Sequence, residues 1–176
     1  VYVSRFVTPP LPGEGTASVL PGTAGGEVVV LSAATLATQR TIVLGYSSLP
    51  DFENQGSGVP NYLGAASISP DGTQAWVPSK QDNVARGLAR NGFDLDFQNT
   101  VRAISSRIGL VDQAEDPESR VDHDNASLAT AAAYDSKGNY LFVALETSRE
   151  VAVLDAHGGW QLFRVDVGRA PQGLAL

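Results

Sequence analysis

The sequence has 176 residues, of which 43% are hydrophobic, and its formal net charge is -7 at pH 7. This length suffices for one domain with a sizeable core, and no apolar stretch approaches the roughly 18 residues of a membrane-spanning helix. The acidic balance argues against nucleic-acid binding, which requires a clustered basic surface. Cysteine is absent, which excludes disulfides, thiolate zinc sites, iron–sulfur clusters and CxxCH haem attachment within these residues.

Strand-like segments begin at the N-terminus. Residues 1–4, 26–32 and 40–45 are short runs rich in β-branched residues, which favour strands. A loop rich in Pro and Gly, residues 8–25, separates the first run from the second. We predict that residues 1–46 form one antiparallel unit of three strands.

A second unit is predicted at residues 60–111, after a long loop at residues 47–61 that carries Asp51, Glu53 and Asn54. The first strand of this unit consists of small residues and leads into the turn Ser69-Pro70-Asp71-Gly72. In such a turn Pro presets φ, and Gly supplies the positive φ that closes a hairpin. In chain order, its four strands are expected at residues 64–68, 75–78, 83–88 and 100–104.

An acidic segment, residues 112–125, is predicted to be the loop between the second and third units. It also holds one of the two histidines, His123. Carboxylate oxygens are the ligands that Ca²⁺ prefers, so this loop is a candidate calcium site. The spacing fits no EF-hand loop, and Arg120 could neutralise part of the charge. A solvated acidic loop and a transition-metal site through His123 therefore stay open as alternatives. The candidate calcium ligands are Asp112, Asp116, Asp122 and Asp124.

The third unit is predicted at residues 126–168. Its turn Asp135-Ser136-Lys137-Gly138 corresponds to the turn of the second unit, because Gly72 and Gly138 are 66 positions apart, as are Trp76 and Phe142. Its strands are expected at residues 129–134, 141–144, 149–155 and 161–168, with His157 in an exposed hairpin turn between the last two. Residues 169–176 repeat the small-residue strand and are expected to begin a further unit.

Four antiparallel strands per unit, in the same order and at equal spacing, are typical of the blade of a β-propeller. The predicted fold class is therefore all-β: about two and a half four-stranded antiparallel blades of a larger β-propeller ring with seven or eight blades. A β-sandwich with coincidental internal similarity is the alternative. The first blade lacks its inner strand and the last has only that strand, so we expect the remaining blades or another chain to complete the ring.

At its motifs the chain resembles the YVTN β-propeller repeat family. Tyr2-Val3-Ser4, Ser69-Pro70-Asp71-Gly72 and Pro171-Gln172-Gly173-Leu174-Ala175 are similar to the Y-V-T-N, S-P-D-G and P-x-G-x-A elements of that family, whereas Val77-Pro78 departs from it. The resemblance implies an exported bacterial protein, periplasmic or extracellular. Some proteins of this kind carry a di-haem cytochrome c peroxidase-like (MauG-type) module on the same polypeptide.

The sequence favours a binding or scaffold segment that mediates protein or domain interaction. It contains neither a G-x-S-x-G nucleophile elbow nor a P-loop. One alternative is an accessory propeller of a haem-dependent oxidoreductase, with the haem domain elsewhere in the full-length protein. Another is a lactonase-like enzyme, which would need ligands at the central channel. The small inner strands offer none there; their residues include Ala65, Ala66, Ala131 and Ala132.

Four arginines of the second unit are a further candidate site, because a basic face could attract an anion or an acidic partner. They are Arg86, Arg90, Arg102 and Arg107. Side chains alternate between the two faces of a strand, so some of the four are expected to be merely solvated.

Overall fold

A computed structural model, which describes residues 1–11, 25–83 and 100–176, shows three antiparallel sheets. The first sheet has the strand order β1-β2-β3, in which consecutive strands pair as hairpin neighbours. Its strands are β1 (Tyr2–Ser4), β2 (Gly25–Leu31) and β3 (Thr38–Gly45). These are the three strands that the β-branched runs predict for the first unit.

The second sheet is built around one long strand, β7, which pairs on one side with β8. On its other side, the C-terminal end of β7 pairs with β5 and its N-terminal end with β6. Strand β4 pairs with β5, and β9 pairs with β8. The strands are β4 (Ser47–Phe52), β5 (Gln55–Asn61), β6 (Ser67–Ile68), β7 (Gln74–Asp82), β8 (Val101–Gly109) and β9 (Ala114–His123).

The third sheet is a complete four-stranded blade, with the strand order β10-β11-β12-β13. Its strands are β10 (Ala129–Tyr134), β11 (Tyr140–Leu145), β12 (Glu150–Asp155) and β13 (Gln161–Asp166). Residues 169–176 form no strand in this structure, although the Thr130 hydroxyl donates a hydrogen bond to the Pro171 carbonyl at 2.8 Å. Within the described residues, no helix has the length and apolar character that a membrane crossing demands.

Three predictions for the second unit were wrong. Residues 47–61 are not a loop but the β4–β5 hairpin, and the acidic residues 112–125 are mostly the strand β9. Residues 100–104, predicted as the outer strand, begin the third strand of the sheet, β8. The predicted third strand at residues 83–88 lies outside the described residues from residue 84 onward, as does the predicted loop at residues 8–25 from residue 12 to residue 24.

The three sheets stack face to face, and β7 lies in the middle of the stack. Trp76 and Val77, adjacent on this strand, are both fully buried and point to opposite faces. Trp76 belongs to the core between the second and third sheets, with Leu141 and Leu154. Val77 belongs to the core between the first and second sheets, with Val28. A strand buried on both faces needs apolar residues at consecutive positions, which explains the run Ala75-Trp76-Val77.

The repeated turn has the same hydrogen bonds in both copies. The backbone amides of Ser69 and Asp135 each donate to the carbonyl of the residue five positions later. Their own carbonyls accept hydrogen bonds from the amides of Gly72 and Gly138. Their side-chain oxygens also accept the amide of the residue five positions on, at 3.1 Å and 2.8 Å respectively. The glycines, Gly72 and Gly138, have φ angles of 70° and 75°, as the turn requires. The prediction of equivalent turns is confirmed.

The innermost segments of successive sheets lie side by side. The Leu63 amide donates to the Phe6 carbonyl at 3.1 Å. Gly64 approaches Thr130 so closely that an added Cβ would lie 2.5 Å from the Thr130 carbonyl oxygen. Antiparallel sheets that stack face to face with their small inner strands in contact form a partial β-propeller. The predicted all-β, propeller fold class is confirmed.

Candidate functional site: a pocket under the β4–β5 hairpin

A cavity of about 280 Å³ lies where the β4–β5 hairpin covers the junction of the first and second sheets. We call it the hairpin pocket. One wall is the segment from the end of β3 into β4, and the opposite wall is β9. The apolar lining comes from Tyr46, Leu49, Ile104 and Pro117, and the polar lining includes Asn54, Gln55, Gln81, Glu115, Glu118, Arg120 and Asp122.

An ion pair between Glu115 and Arg120 forms part of the pocket wall, with a shortest N–O distance of 2.5 Å. The pair closes around the backbone of Gly45, at the end of β3. The Gly45 amide donates to Glu115 Oε2 at 2.7 Å, and Arg120 Nη2 donates to the Gly45 carbonyl at 2.9 Å. Arg120 Nη1 also donates to Gln81 Oε1 at 3.0 Å. This network joins the first sheet to β7 and β9 of the second.

A second ion pair, between Arg102 and Asp122, anchors the β4–β5 hairpin to the strands β8 and β9. Arg102 Nη1 donates to Asp122 Oδ2 at 2.6 Å, and its Nη2 donates to the Phe52 carbonyl in the hairpin. The side-chain amide of Gln81 donates to the Gly56 carbonyl at 2.8 Å and ties the other arm of the hairpin to β7. A Cβ at position 56 would lie 2.5 Å from Arg102 Nε and 2.7 Å from Asp51 Oδ1, so a larger residue there would displace these two side chains.

The charge left over at the pocket is negative. Asp122 is 7% exposed, and within the part of the chain that the structure describes its Oδ1 accepts no hydrogen bond. Burial raises the pKa of Asp122, and the hydrogen bond and charge of Arg102 act in the opposite direction. Glu118 is exposed at the rim. Arg102 and Arg120 balance Asp122 and Glu115, so the Glu118 carboxylate leaves a net charge of -1 among these five side chains.

The four calcium candidates do not converge. Asp122 pairs with Arg102, Asp116 pairs with Arg107 at 2.5 Å, and Asp112 lies in the exposed turn before β9. The Asp124 carboxylate accepts a hydrogen bond from the side-chain amide of Asn125 at 2.8 Å. In residues 1–11, 25–83 and 100–176, no three His, Cys, Asp or Glu side chains form a group that could hold a metal ion. The arrangement therefore gives the calcium prediction no support among these residues.

The four candidate arginines do not form a basic face in the described chain. Arg102 and Arg107 both lie on β8 but point to opposite faces, and each is engaged by a carboxylate. Arg107 also donates to the Ser119 hydroxyl and to the His157 carbonyl, and its guanidinium lies 5.9 Å from the Trp76 ring centroid. Arg86 and Arg90 lie outside the described residues.

The two histidines occupy different environments. His157 lies in the exposed β12–β13 turn, as predicted. His123 ends β9 and is buried between the second and third sheets, where its Nε2 lies 2.9 Å from the Ser105 hydroxyl. Burial, together with the positive charge of Arg164, lowers the pKa of His123 to about 3. This histidine is a neutral core residue.

Sequence reasoning missed the hairpin pocket because it treated both walls as loops. The signal that predicts β9, alternating charged and apolar residues, is weak in Glu115-Asp116-Pro117-Glu118, where a proline interrupts the strand pattern. Gln81, Arg102 and Arg120 carry no local motif; the pairing of distant strands brings them together.

No family model and no curated protein matches the sequence. Solved structures that are similar to it include hydrazine synthase of Kuenenia stuttgartiensis, at 12% identity and a TM-score of 0.48 over 87% of this chain and 59% of that chain. The β-propeller domain of Cps50 (Swd1) from Myceliophteria thermophila gives 12% identity and a TM-score of 0.35 over 100% of this chain and 62% of that one. A functionally unknown protein from Desulfotomaculum acetoxidans gives 12% identity and a TM-score of 0.30 over 84% of this chain and 65% of that one.

The chain thus spans about three-fifths of the length of each of these three proteins, with shares of 59%, 62% and 65%. At this degree of identity a structural likeness concerns the fold and not the activity. The assignment as a partial propeller rests on the sheet order and the stacking of the sheets described above.

Proposed function

We propose that the chain is a binding and scaffold segment of a β-propeller, and that its two outermost sheet faces hold further blades of the same kind. The proposal includes the YVTN type of repeat and a periplasmic or extracellular location in a bacterium, both of which rest on the resemblance of the motifs. The observation that carries it is a pair of exposed apolar side chains, Phe163 and Val165, on the outer face of the third sheet.

On that face, Phe142, Val153 and Phe163 form one cross-strand row, and Ala144, Val151 and Val165 form the next. Phe163 is 54% exposed, although its neighbours on the central strand are buried. Ala144, Val151 and Val153, on the two central strands, are 9% exposed or less, so the exposed apolar surface of this face lies on the outer strand β13, at Phe163 and at Val165, which is 45% exposed. Another sheet packed on this face would remove these apolar side chains from water.

The first sheet has a matching face. Val28 and Val30 point into the core with the second sheet, so Val29 and its cross-strand neighbour Val3 point the other way. Val3 is exposed. The same face also carries the Arg5–Glu27 ion pair, and its apolar part, Val3 and Val29, is suited to packing against another β-sheet. We therefore expect blades on both sides of the segment.

The experiment is to measure self-association by light scattering and the fluorescence of an anilinonaphthalene sulfonate dye, which reports exposed apolar surface. We expect the unmodified chain to associate with rising concentration and to bind the dye. Phe163→Asp, and Val3→Asp on the other face, should each reduce both signals. The control is Val111→Asp, which places the same charge at an exposed valine in the β8–β9 turn.

Equal signals from the unmodified chain and from both face variants would overturn the proposal. Dye binding that falls only for Val111→Asp would do the same. Circular dichroism of each variant establishes that the sheets are still formed. If a haem domain added in trans abolished the association, the occupant would be that domain, and the proposed blade-to-blade contact would be wrong.

A further inference from the structure

We propose that the hairpin pocket binds an organic cation: an ammonium group on an apolar carbon chain or ring, such as a lysine side chain or a free amine. This inference goes beyond the propeller scaffold. It does not depend on further blades, because every lining residue belongs to the first two sheets or to the segment that joins them.

The first argument is the shape and size of the cavity. At about 280 Å³ it lies near the lower end of the volumes of small-molecule pockets, which begin at about 300 Å³. The hairpin that covers it is tied down at both arms, by Arg102 on Phe52 and by Gln81 on Gly56. The cavity is therefore formed before any ligand arrives, which limits the entropy lost on binding.

The second argument is the distribution of polarity. Tyr46, Leu49, Ile104 and Pro117 give the pocket an apolar wall that suits a hydrocarbon body. The Glu115–Arg120 pair is saturated by Gly45 and Gln81, so it contributes little attraction for either sign of charge. A ligand that enters along this wall meets a hydrophobic surface with few competing polar groups.

The third argument is the pair of carboxylates that retain acceptor capacity. The side chain of Asp122 is more than nine-tenths buried, borders the cavity, and is engaged by the described residues only through Oδ2. Glu118, at the rim, accepts no hydrogen bond from any described residue. An ammonium group donates three hydrogen bonds and accepts none, so it can pair with either carboxylate, whereas an anion would be repelled.

The test uses phenethylammonium as the ligand, 2-phenylethanol as its neutral match, and N-acetyl-lysine amide as the side-chain form. Binding is followed by the NMR shifts of the backbone amides of Gly45, Gln55 and Gly56, which line the pocket. We expect saturable shifts of these amides with both cations and none with the alcohol. Tighter binding of the lysine derivative would identify a protein partner as the source, and tighter binding of phenethylammonium a free amine.

The matched variants are Glu118→Gln and Asp112→Asn, each of which removes one exposed carboxylate. Glu118→Gln should weaken cation binding about fivefold, the effect of one solvent-exposed charge contact. Asp112→Asn should leave it unchanged, because Asp112 does not line the pocket. Asp122→Asn should weaken it more than Glu118→Gln. The proposal fails if no amide near the pocket shifts, if the alcohol binds as well as the cations, or if Glu118→Gln and Asp112→Asn behave alike.

Discussion

Glu115 and Arg120 lie five residues apart on one strand and yet meet on the same face of the sheet, 2.5 Å apart. In a regular strand, residues five apart point to opposite faces. Here the register is irregular: between the pairs Ser105–Val121 and Arg107–Asp116, β8 advances two residues while β9 advances five. The odd number of extra residues reverses the alternation. The irregularity therefore creates the ion pair that joins the first two sheets.

We expect Arg120→Met to destabilise the protein strongly. It leaves the Glu115 carboxylate, which is 4% exposed, without its counter-charge. Breaking a buried pair in this way costs about 3–5 kcal/mol of unfolding free energy. The measurement is denaturant unfolding followed by circular dichroism.

The matched control for this prediction is Arg5→Met. Arg5 pairs with Glu27 at 2.7 Å but is 57% exposed, so its loss should cost less than about 1 kcal/mol. The double variant Glu115→Gln with Arg120→Met should recover part of the stability, since no buried charge is left unpaired. If Arg120→Met and Arg5→Met are equally mild, the pair does not join the sheets as described.

We expect Gly64→Ala to disturb the contact between the second and third sheets. The new Cβ would lie 2.5 Å from the Thr130 carbonyl oxygen and 2.9 Å from Pro78 Cγ. Overpacking of this kind typically costs about 1–3 kcal/mol. In Gly173→Ala the new Cβ meets no described atom within 4 Å, so the change should be within about 0.5 kcal/mol. Thermal unfolding of the two variants in parallel makes the comparison; equal melting temperatures would contradict the close approach of the inner strands.

The unfolding free energy should depend on pH through His123. Its pKa is about 3 in the folded protein, against an ordinary value of 6.5, so the unfolded chain binds the proton more readily between these values. The contribution of neutral His123 to the unfolding free energy is complete above about pH 6.5. It falls by up to about 1.4 kcal/mol per pH unit as the pH drops toward 3. Asp122, whose pKa is raised, acts in the opposite direction.

The contribution of His123 is isolated by comparing slopes. His123→Gln should reduce the slope of the unfolding free energy against pH, between pH 6 and pH 4, by the amount that corresponds to about one bound proton. Ser105→Ala keeps the histidine and should keep most of that slope. Denaturant titrations at several pH values supply the measurement. An unchanged slope in His123→Gln would mean that the histidine is accessible to protons in the folded protein.

Much of the fold was predictable from the sequence because the repeat places equivalent turns and strands 66 residues apart. The hydrogen bonds around Ser69 and Asp135, and the burial of Trp76, follow directly from that pattern. The third sheet has its strands where the apolar runs predicted them.

The pocket was not predictable, because no short-range pattern marks its walls. Strand β9 is too charged and too irregular to be recognised as a strand, and its acidic residues suggest instead a loop, either solvated or binding a metal ion. Their partners, Arg102 and Arg107, lie on the neighbouring strand, so only the pairing of β8 with β9 shows that the carboxylates are neutralised. Strand β5 likewise depends on pairing with the far end of β7.

The stacking of the second and third sheets, on which the propeller assignment depends, can be tested through the two tryptophans. Trp76 is fully buried between these sheets, and Trp160 is 60% exposed in the β12–β13 turn. Acrylamide quenching of Trp160→Phe reports Trp76 alone, and quenching of Trp76→Phe reports Trp160 alone. We predict blue-shifted emission and a several-fold smaller quenching constant for Trp76. Equal quenching of the two tryptophans in the folded protein would contradict the stacked sheets.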